Sequence, residues 1–193
     1  MRFKPHFELQ GRHAFLSASK SYWLNYDDHK LTLTHKSDQA ARRGSELHEW
    51  ACMAIKLRRR LPNNKQTINQ YVNDAIGFRM TPEVVLWYSD IAFGTADTIS
   101  FNKNPDTDRM ILRIHDLKNG TTKASFRQLE LYVVFFCLEY DVNPSDIDIE
   151  LRIYQNDAVA VHIPDPEVIK DYMARTVHAE ALIMQLRLEE LDQ

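Results

Sequence analysis

The sequence predicts a chain of the α/β (α+β) class, with a central β-sheet flanked by helices. Two observations support this prediction. Residues 84–101, 110–118 and 146–163 are rich in β-branched and aromatic residues or alternate between apolar and polar residues, as strands do. Apolar residues at helical spacing precede, separate and follow these runs. A chain of 193 residues can bury one good core, so we expect a single domain over residues 1–193.

Composition restricts the classes of function. The net charge of −3 disfavours a protein that coats nucleic acid with positive charge, but it allows a nuclease whose site collects carboxylates for metal ions. The only cysteines, Cys52 and Cys137, lie in apolar, helix-like stretches and are expected in the core of a protein from a reducing compartment. No apolar run reaches transmembrane length and the start lacks a signal-peptide core, so we predict a cytoplasmic protein without a membrane partner.

The first elements of the chain are predicted to be a short helix and a loop. Ser17 or Ser19 can cap a helix that carries Tyr22 and Trp23 onto the core, and a serine contact to a DNA phosphate is the alternative. Residues 28–39 are polar and show no periodicity, which predicts a mobile surface loop.

A longer helix is predicted over residues 38–60. It contains Gly44 in its interior, which suggests close approach of the backbone to a neighbour. His48 lies at the edge of the apolar stripe, where it either points toward a site or forms an ordinary, partly buried hydrogen bond. The residues that form the stripe are Leu47, Trp50, Ala51, Ala54 and Leu57.

The next elements are a helix over residues 66–77 and then strands over 84–93 and 95–101, on either side of Gly94. Asp97 lies inside the second strand, where burial and strand propensity both disfavour a carboxylate. Asp97 is either an exposed edge residue or a metal ligand that strand pairing brings beside Asp116.

Residues 110–120 form a strand that ends in an acid and a base. The apolar face of this strand continues into Asp116 and Lys118, which must be paired or must hold something if they are buried. A divalent cation with a phosphate would satisfy both groups. The alternative is a strand whose charged end meets solvent at the turn Asn119-Gly120.

The last third of the chain is predicted to add a helix, a hairpin and a terminal helix. The helix spans residues 125–140, where Gln128 and Tyr132 share a face and can form a local hydrogen bond. Strands over 146–154 and 158–163 form a hairpin, and an amphipathic helix over 165–191 closes the core or makes an oligomer contact.

Four of these motifs occur in a specific order. They are Gly-Ser-x-x-His at residues 44–48, Gly-x-x-Asp at 94–97, Asp-x-Lys-x-Gly at 116–120 and Gln-x-x-x-Tyr at 128–132. In this order they closely resemble the PD-(D/E)XK nuclease superfamily, and within it the RecB-like branch of CRISPR-associated and bacteriophage exonucleases. The resemblance covers residues 14–155, and its fold would be a restriction-endonuclease-like core with a central mixed β-sheet flanked by helices.

The resemblance implies a divalent metal site. His48, Asp97 and Asp116 would bind Mg²⁺ or Mn²⁺, the backbone carbonyl of Leu117 would complete the shell, and Lys118 would act at the nucleophilic water. An imidazole ligand tilts the preference toward Mn²⁺. Relatives with an iron–sulfur cluster carry four cysteines, so no cluster is expected here.

The resemblance also implies the partner. Gln128 and Tyr132 would line the site near the DNA backbone, and Ser17 and Ser19 lie in a run similar to the amino-terminal serine segment of phage-type members. The implied function is a metal-dependent DNA exonuclease in phage or bacterial recombination or repair, acting on linear or single-stranded DNA. Such a context also implies a recombination or single-strand-binding protein as partner, and it is compatible with a homo-oligomer.

One departure from the family pattern leaves alternatives open. Many relatives place a glutamate four residues after the motif histidine, where this chain has Cys52. A nuclease fold kept as a catalytically inactive DNA-binding or assembly subunit is therefore a second hypothesis. A protein–protein module built around the terminal helix is a third.

Overall fold

A computed structural model of the chain describes residues 14–191, except for the side chains of Ser19, Lys20 and Leu191. The helices and strands within this part are α1 (Asp28–Lys56), α2 (Thr67–Gly77), β1 (Thr81–Ser89), β2 (Ala92–Lys103), β3 (Met110–Leu117), α3 (Arg127–Glu139), β4 (Asp148–Gln155), β5 (Ala158–His162) and α4 (Pro166–Leu191). Short 3-10 helices occupy Ala18–Asn25 and Pro144–Asp146.

The five strands form one mixed sheet in the order β1-β2-β3-β4-β5. Its first three strands are antiparallel neighbours, β3 and β4 are parallel, and β4 and β5 form an antiparallel hairpin. The parallel pair requires a crossover connection, and this connection carries α3. The α/β class with a central mixed sheet flanked by helices, predicted from the sequence, is therefore confirmed.

The sheet buries apolar residues in two clusters, because side chains alternate along each strand. The larger cluster combines strand residues such as Leu112, Ile114 and Leu151 with Leu129 and Val133 of α3. The smaller cluster brings together residues from the end of α1, from α2 and from β3 and β4; its members include Ala51, Ala54, Ile55, Tyr71, Val72, Leu117 and Tyr154. The end of β3 therefore lies between two packed layers.

The chain divides into two compact units, Met1–Glu46 and Leu47–Gln193. In the described part of the first unit, the indole of Trp23 donates a hydrogen bond to the carbonyl of Ser17 at 3.0 Å. The ring of Phe15 meets that of His35 edge-on, with centroids 5.0 Å apart. The single domain expected from the sequence stays a prediction.

The loop predicted over residues 28–39 is wrong, because α1 begins at Asp28. The carboxylate of Asp27 accepts a hydrogen bond from the amide of Lys30 at 2.7 Å, as a cap at a helix start does. Most side chains of this polar segment are exposed, so the helix shows no apolar periodicity in the sequence. The helix also ends at Lys56 rather than at residue 60, and Arg58 just beyond it has a φ of 51°.

Two further details of the prediction are wrong. Gly94 lies inside β2 rather than between two strands, and the hairpin between β1 and β2 turns at residues 90–91. Trp50 and Leu57, placed in the apolar stripe of α1, are exposed, whereas Cys52 and Ile55 are buried. The buried face of α1 is therefore rotated relative to the predicted one.

The other elements agree with the sequence-based boundaries to within a few residues. Cys52 and Cys137 are free and buried, as expected of core thiols. In α4, Ile169 is buried against the core while Ile183 and Met184 are exposed, so only the first half of this helix closes the core. None of the helices in residues 14–191 combines the length and hydropathy that crossing a bilayer requires.

Candidate metal centre

Pairing of β2 with β3 places two carboxylates at neighbouring positions. The last paired residues at this end are Thr98 and His115, so the next position on each strand is occupied by Asp97 and Asp116. Facing residues of an antiparallel pair have Cβ atoms about 5 Å apart. Asp97 bridges to the second strand directly, because its Oδ2 accepts a hydrogen bond from the amide of Leu117 at 3.0 Å.

Helix α1 brings an imidazole to the same point. Nδ1 of His48 lies 3.3 Å from Oδ2 of Asp97. The hydrogen bond to Asp97 raises the pKa of His48, against an opposing effect of burial. Asp97 and Asp116 both raise this pKa through their charge, which shows that the two acids and the imidazole share one electrostatic environment.

Asp116 is the most buried member of the group, with a side chain only 4% exposed. Its Oδ2 forms an ion pair with Nζ of Lys118 at 3.1 Å, and no other described group donates a hydrogen bond to this oxygen. Burial and, next, the charge of Asp97 raise the pKa of Asp116, while Lys118 and His48 oppose this rise. The oxygen therefore has one ionic partner and remains able to bind a cation.

A chain of hydrogen bonds fixes Lys118. Its Nζ donates to Oε1 of Gln128 at 3.1 Å, and Nε2 of Gln128 donates to the hydroxyl of Tyr132 at 2.9 Å. The local hydrogen bond predicted between Gln128 and Tyr132 is therefore confirmed. Helix α3 thus holds the amine of Lys118 beside the carboxylate of Asp116.

Gly94 makes room for this chain. A Cβ at Gly94 would lie 2.8 Å from Cε1 of Tyr132, closer than side-chain carbons approach one another. The ring of Tyr132 can therefore pack on β2 only because position 94 lacks a side chain. The Gly-x-x-Asp pattern thus positions Tyr132 as well as Asp97.

Glu83 joins the group and was missed by the sequence analysis. One ligand atom from each of His48, Glu83 and Asp97 lies within 4.8 Å of the others. Placing the hairpin turn at residues 90–91 would have revealed it, since that register sets Glu83 of β1 opposite Asp97. The sequence-based strands were instead placed on either side of Gly94, and with that boundary Glu83 does not face Asp97.

The remaining predicted residues are placed as follows. Ser17 lies immediately before the first 3-10 helix, but the predicted capping by its side chain is wrong. The side chain of Ser19 lies outside the described part of the chain. Leu117 is buried, and the metal-binding role of its carbonyl stays a prediction. Cys52, which replaces the glutamate of many relatives, faces the core.

The donor set suits a hard divalent cation. Carboxylate oxygens are the preferred ligands of Mg²⁺, and an added imidazole nitrogen shifts the preference toward Mn²⁺. The buried oxygen of Asp116, which has Lys118 as its ionic partner and no hydrogen bond, is compatible with such a cation.

Comparisons with protein-family models, with curated proteins and with solved structures returned no significant match.

Proposed function

We propose that the protein is a metal-dependent deoxyribonuclease, acting as an exonuclease that hydrolyses the phosphodiester bonds of DNA. The observation that carries the proposal is the buried Oδ2 of Asp116, which accepts no hydrogen bond from the described residues and lies beside the amine of Lys118. The motif order that resembles RecB-like nucleases supports the same reaction. Bacterial or phage recombination and repair is the proposed setting.

His48, Asp97 and Asp116 are the residues that would hold Mg²⁺ or Mn²⁺. When bound, the metal would activate a water molecule for attack and neutralise charge on the scissile phosphate. The protein supplies ligands from two adjacent strands and one helix, which are rigid elements that hold the ligand atoms in place.

Lys118 has the position of a group that acts on the nucleophile or on the phosphate. Asp116 and Gln128 fix its amine from two sides. An ammonium in this position donates hydrogen bonds to the attacking water and stabilises negative charge that develops on the phosphate. Gln128 orients the amine through its carbonyl oxygen, and Tyr132 in turn orients Gln128.

A cleavage assay tests the proposal. Linear single-stranded and double-stranded DNA, labelled at either end, is incubated with Mn²⁺ or Mg²⁺ and with wild-type, Lys118→Ala or Lys170→Ala protein. We expect Lys118→Ala to slow cleavage by about 10²- to 10⁴-fold, the usual contribution of a positioned proton-transfer group. Lys170, which pairs with Glu167 on α4, is the matched control and should cleave at the wild-type rate.

Cleavage by none of the three proteins, or equal cleavage by all of them, would contradict the proposal. Salt-dependent DNA binding by a wild-type protein that does not cleave would instead favour the inactive, DNA-binding subunit.

A further inference from the structure

We propose that Glu83 is a further metal ligand, which joins His48 and Asp97 around one cation position that borders Asp116. This inference rests on the proposed function, because it concerns the same site. It adds a residue that lies in none of the four sequence motifs. Three independent features of Glu83 support it: its backbone, its register and its surroundings.

The backbone of Glu83 is strained in an unusual place. Its φ of 55° lies in the left-handed region, which non-glycine residues rarely adopt. The other described non-glycine residues with positive φ lie in turns or just after helices and strands, and they are Arg58, Arg79, Asp108, Asp141, Asn156 and Asp157. Glu83 alone among them lies inside a strand. Strain of this kind is unfavourable and concentrates at functional sites.

The register explains what the strain achieves. Pro82 pairs with Thr98 and Val84 pairs with Ala96, so Glu83 and Asp97 face each other between these pairs. β1 is an edge strand, so a local distortion at Glu83 disturbs only one neighbouring strand. The result is a glutamate whose ligand atom lies within 4.8 Å of those of Asp97 and His48.

The surroundings of Glu83 contain more negative than positive charge. Its side chain is exposed, and a second carboxylate and one imidazole have ligand atoms within 4.8 Å of its own. Carboxylates this close repel each other unless a cation lies between them, and one imidazole offsets at most one of the two negative charges.

The buried oxygen of Asp116 is a second sign of a ligand at this place. The side chain is more than nine-tenths buried, and apart from its ion pair with Lys118 the oxygen accepts no hydrogen bond from the described residues. His48, Glu83 and Asp97 would supply an imidazole nitrogen and two carboxylate oxygens to the cation, and Asp116 would add negative charge beside them.

Binding of Mn²⁺ to the intact protein, measured by electron paramagnetic resonance in the absence of DNA, tests this inference. We expect Glu83→Gln to weaken Mn²⁺ binding at least tenfold at pH 7. Glu190→Gln is the matched control, since it removes the same charge from an exposed position on α4, and it should bind as the wild type does. Asp116→Asn tests the site itself and should also lose affinity.

The outcomes separate the two proposals. Equal Mn²⁺ affinity in Glu83→Gln and Glu190→Gln, with loss of affinity in Asp116→Asn, would overturn the role of Glu83 and leave the nuclease proposal standing. A wild-type protein that binds no Mn²⁺ at millimolar concentration would overturn both.

A second variant excludes misfolding as the cause. Glu83→Gly adopts positive φ without strain, so it should melt at or above the wild-type temperature while losing Mn²⁺ affinity. Loss of affinity that occurs only together with a lower melting temperature in both variants would assign Glu83 a structural role and overturn the inference.

Discussion

Two groups of acidic residues include side chains of the same sheet, and they are satisfied in different ways. The first, here called the closed cluster, consists of Asp74 and Glu150 with Arg113, Arg152 and Tyr154. Arg152 lies 3.1 Å from Asp74 and 3.0 Å from Glu150, and Arg113 lies 3.1 Å from Glu150. Tyr154 donates a hydrogen bond to Asp74 at 2.7 Å. Two carboxylates thus share two guanidinium groups and a phenol.

The second group, here called the open cluster, consists of Glu83, Asp97 and Asp116 with His48 and Lys118. Three carboxylates share one ammonium group, one imidazole and one backbone amide. At least one buried carboxylate oxygen is left without a hydrogen bond from the described residues.

The balance between carboxylates and their partners distinguishes a structural polar network from a candidate functional site. Arg152 bridges Asp74 and Glu150 through two of its nitrogens, so the closed cluster completes itself within the fold. The open cluster has more carboxylates than positively charged partners, which is unfavourable where the carboxylates are buried. The cation proposed above would supply the missing positive charge.

The largest expected effect comes from Asp116→Asn in the open cluster. The loss of a metal ligand should reduce cleavage by about 10³-fold or more, because the metal supplies several kcal/mol of transition-state stabilisation. The same substitution should not lower the stability of the fold. Burial raises the pKa of Asp116, so the ionised form is disfavoured in the folded state and destabilises it at pH values above that raised pKa.

Urea unfolding at pH 7 should therefore give Asp116→Asn a free energy of unfolding equal to or above that of the wild type. A clear loss of stability together with intact cleavage would show that Asp116 is a structural residue, and the contrast between the two clusters would disappear.

The next largest effect is expected from Arg152→Met in the closed cluster. This change leaves Asp74, Glu150 and Tyr154 without a shared partner, and it should lower the free energy of unfolding by about 2–3 kcal/mol. The side chain of Arg152 is 19% exposed, so solvent replaces little of what is lost. Mn²⁺ affinity should stay unchanged.

The matched control is Arg175→Met on α4. Arg175 is 75% exposed and pairs with Asp171 one turn away, so its removal should cost less than about 0.5 kcal/mol. If both arginine variants have the same urea midpoint, the closed cluster does not stabilise the fold.

Gly94→Ala should affect both the stability of the fold and the rate of cleavage. Its Cβ would meet Cε1 of Tyr132 at 2.8 Å, so the ring must move and the hydrogen bonds that hold Gln128 and Lys118 must shift. We expect a loss of about 1–3 kcal/mol of stability, the usual cost of overpacking, and slower cleavage with Mn²⁺ affinity retained. Gly77→Ala, where the added Cβ meets nothing within 4 Å, is the control. Equal melting temperatures for the two variants would contradict this account.

These contrasts also show what the sequence could and could not predict. Periodicity was sufficient for the α/β class, because alternation along β3 and the apolar stripe of α3 reflect burial directly. The spacing of Gln128 and Tyr132 predicted their hydrogen bond, since residues four apart share a helix face. Glu83 was missed because its place depends on the exact hairpin register, and a shift of the turn changes every facing pair.

The closed cluster was beyond prediction for a similar reason. Its contacts join Asp74 to Arg152 and Tyr154, about 80 positions apart in the chain, and nothing local in the sequence marks them. The helix over residues 28–39 was missed because its side chains are mostly exposed, so it lacks the apolar stripe on which the prediction depends.

The smallest expected effect concerns Asp148, a carboxylate that two hydrogen bonds and one guanidinium satisfy. Thr107 and then Asn104 hold its pKa below the ordinary value through hydrogen bonds, and the charge of Arg109 adds a smaller effect in the same direction. Its stabilising effect is therefore complete above the pKa of about 3.9 in the unfolded chain, and it is lost as the pH falls through the lower folded pKa. Asp148→Asn should be less stable than the wild type by about 1 kcal/mol at pH 7, and this gap should begin to narrow below about pH 4.

Melting curves between pH 3 and pH 7 measure this gap, with Asp171→Asn on α4 as the control for an exposed aspartate paired one turn away. A gap that stays constant down to pH 3 would show that the amide disturbs the site for reasons other than charge. A gap that closes would place Asp148 with the closed cluster, because its carboxylate is satisfied within the fold by Thr107, Asn104 and the guanidinium of Arg109, which lies 3.5 Å away.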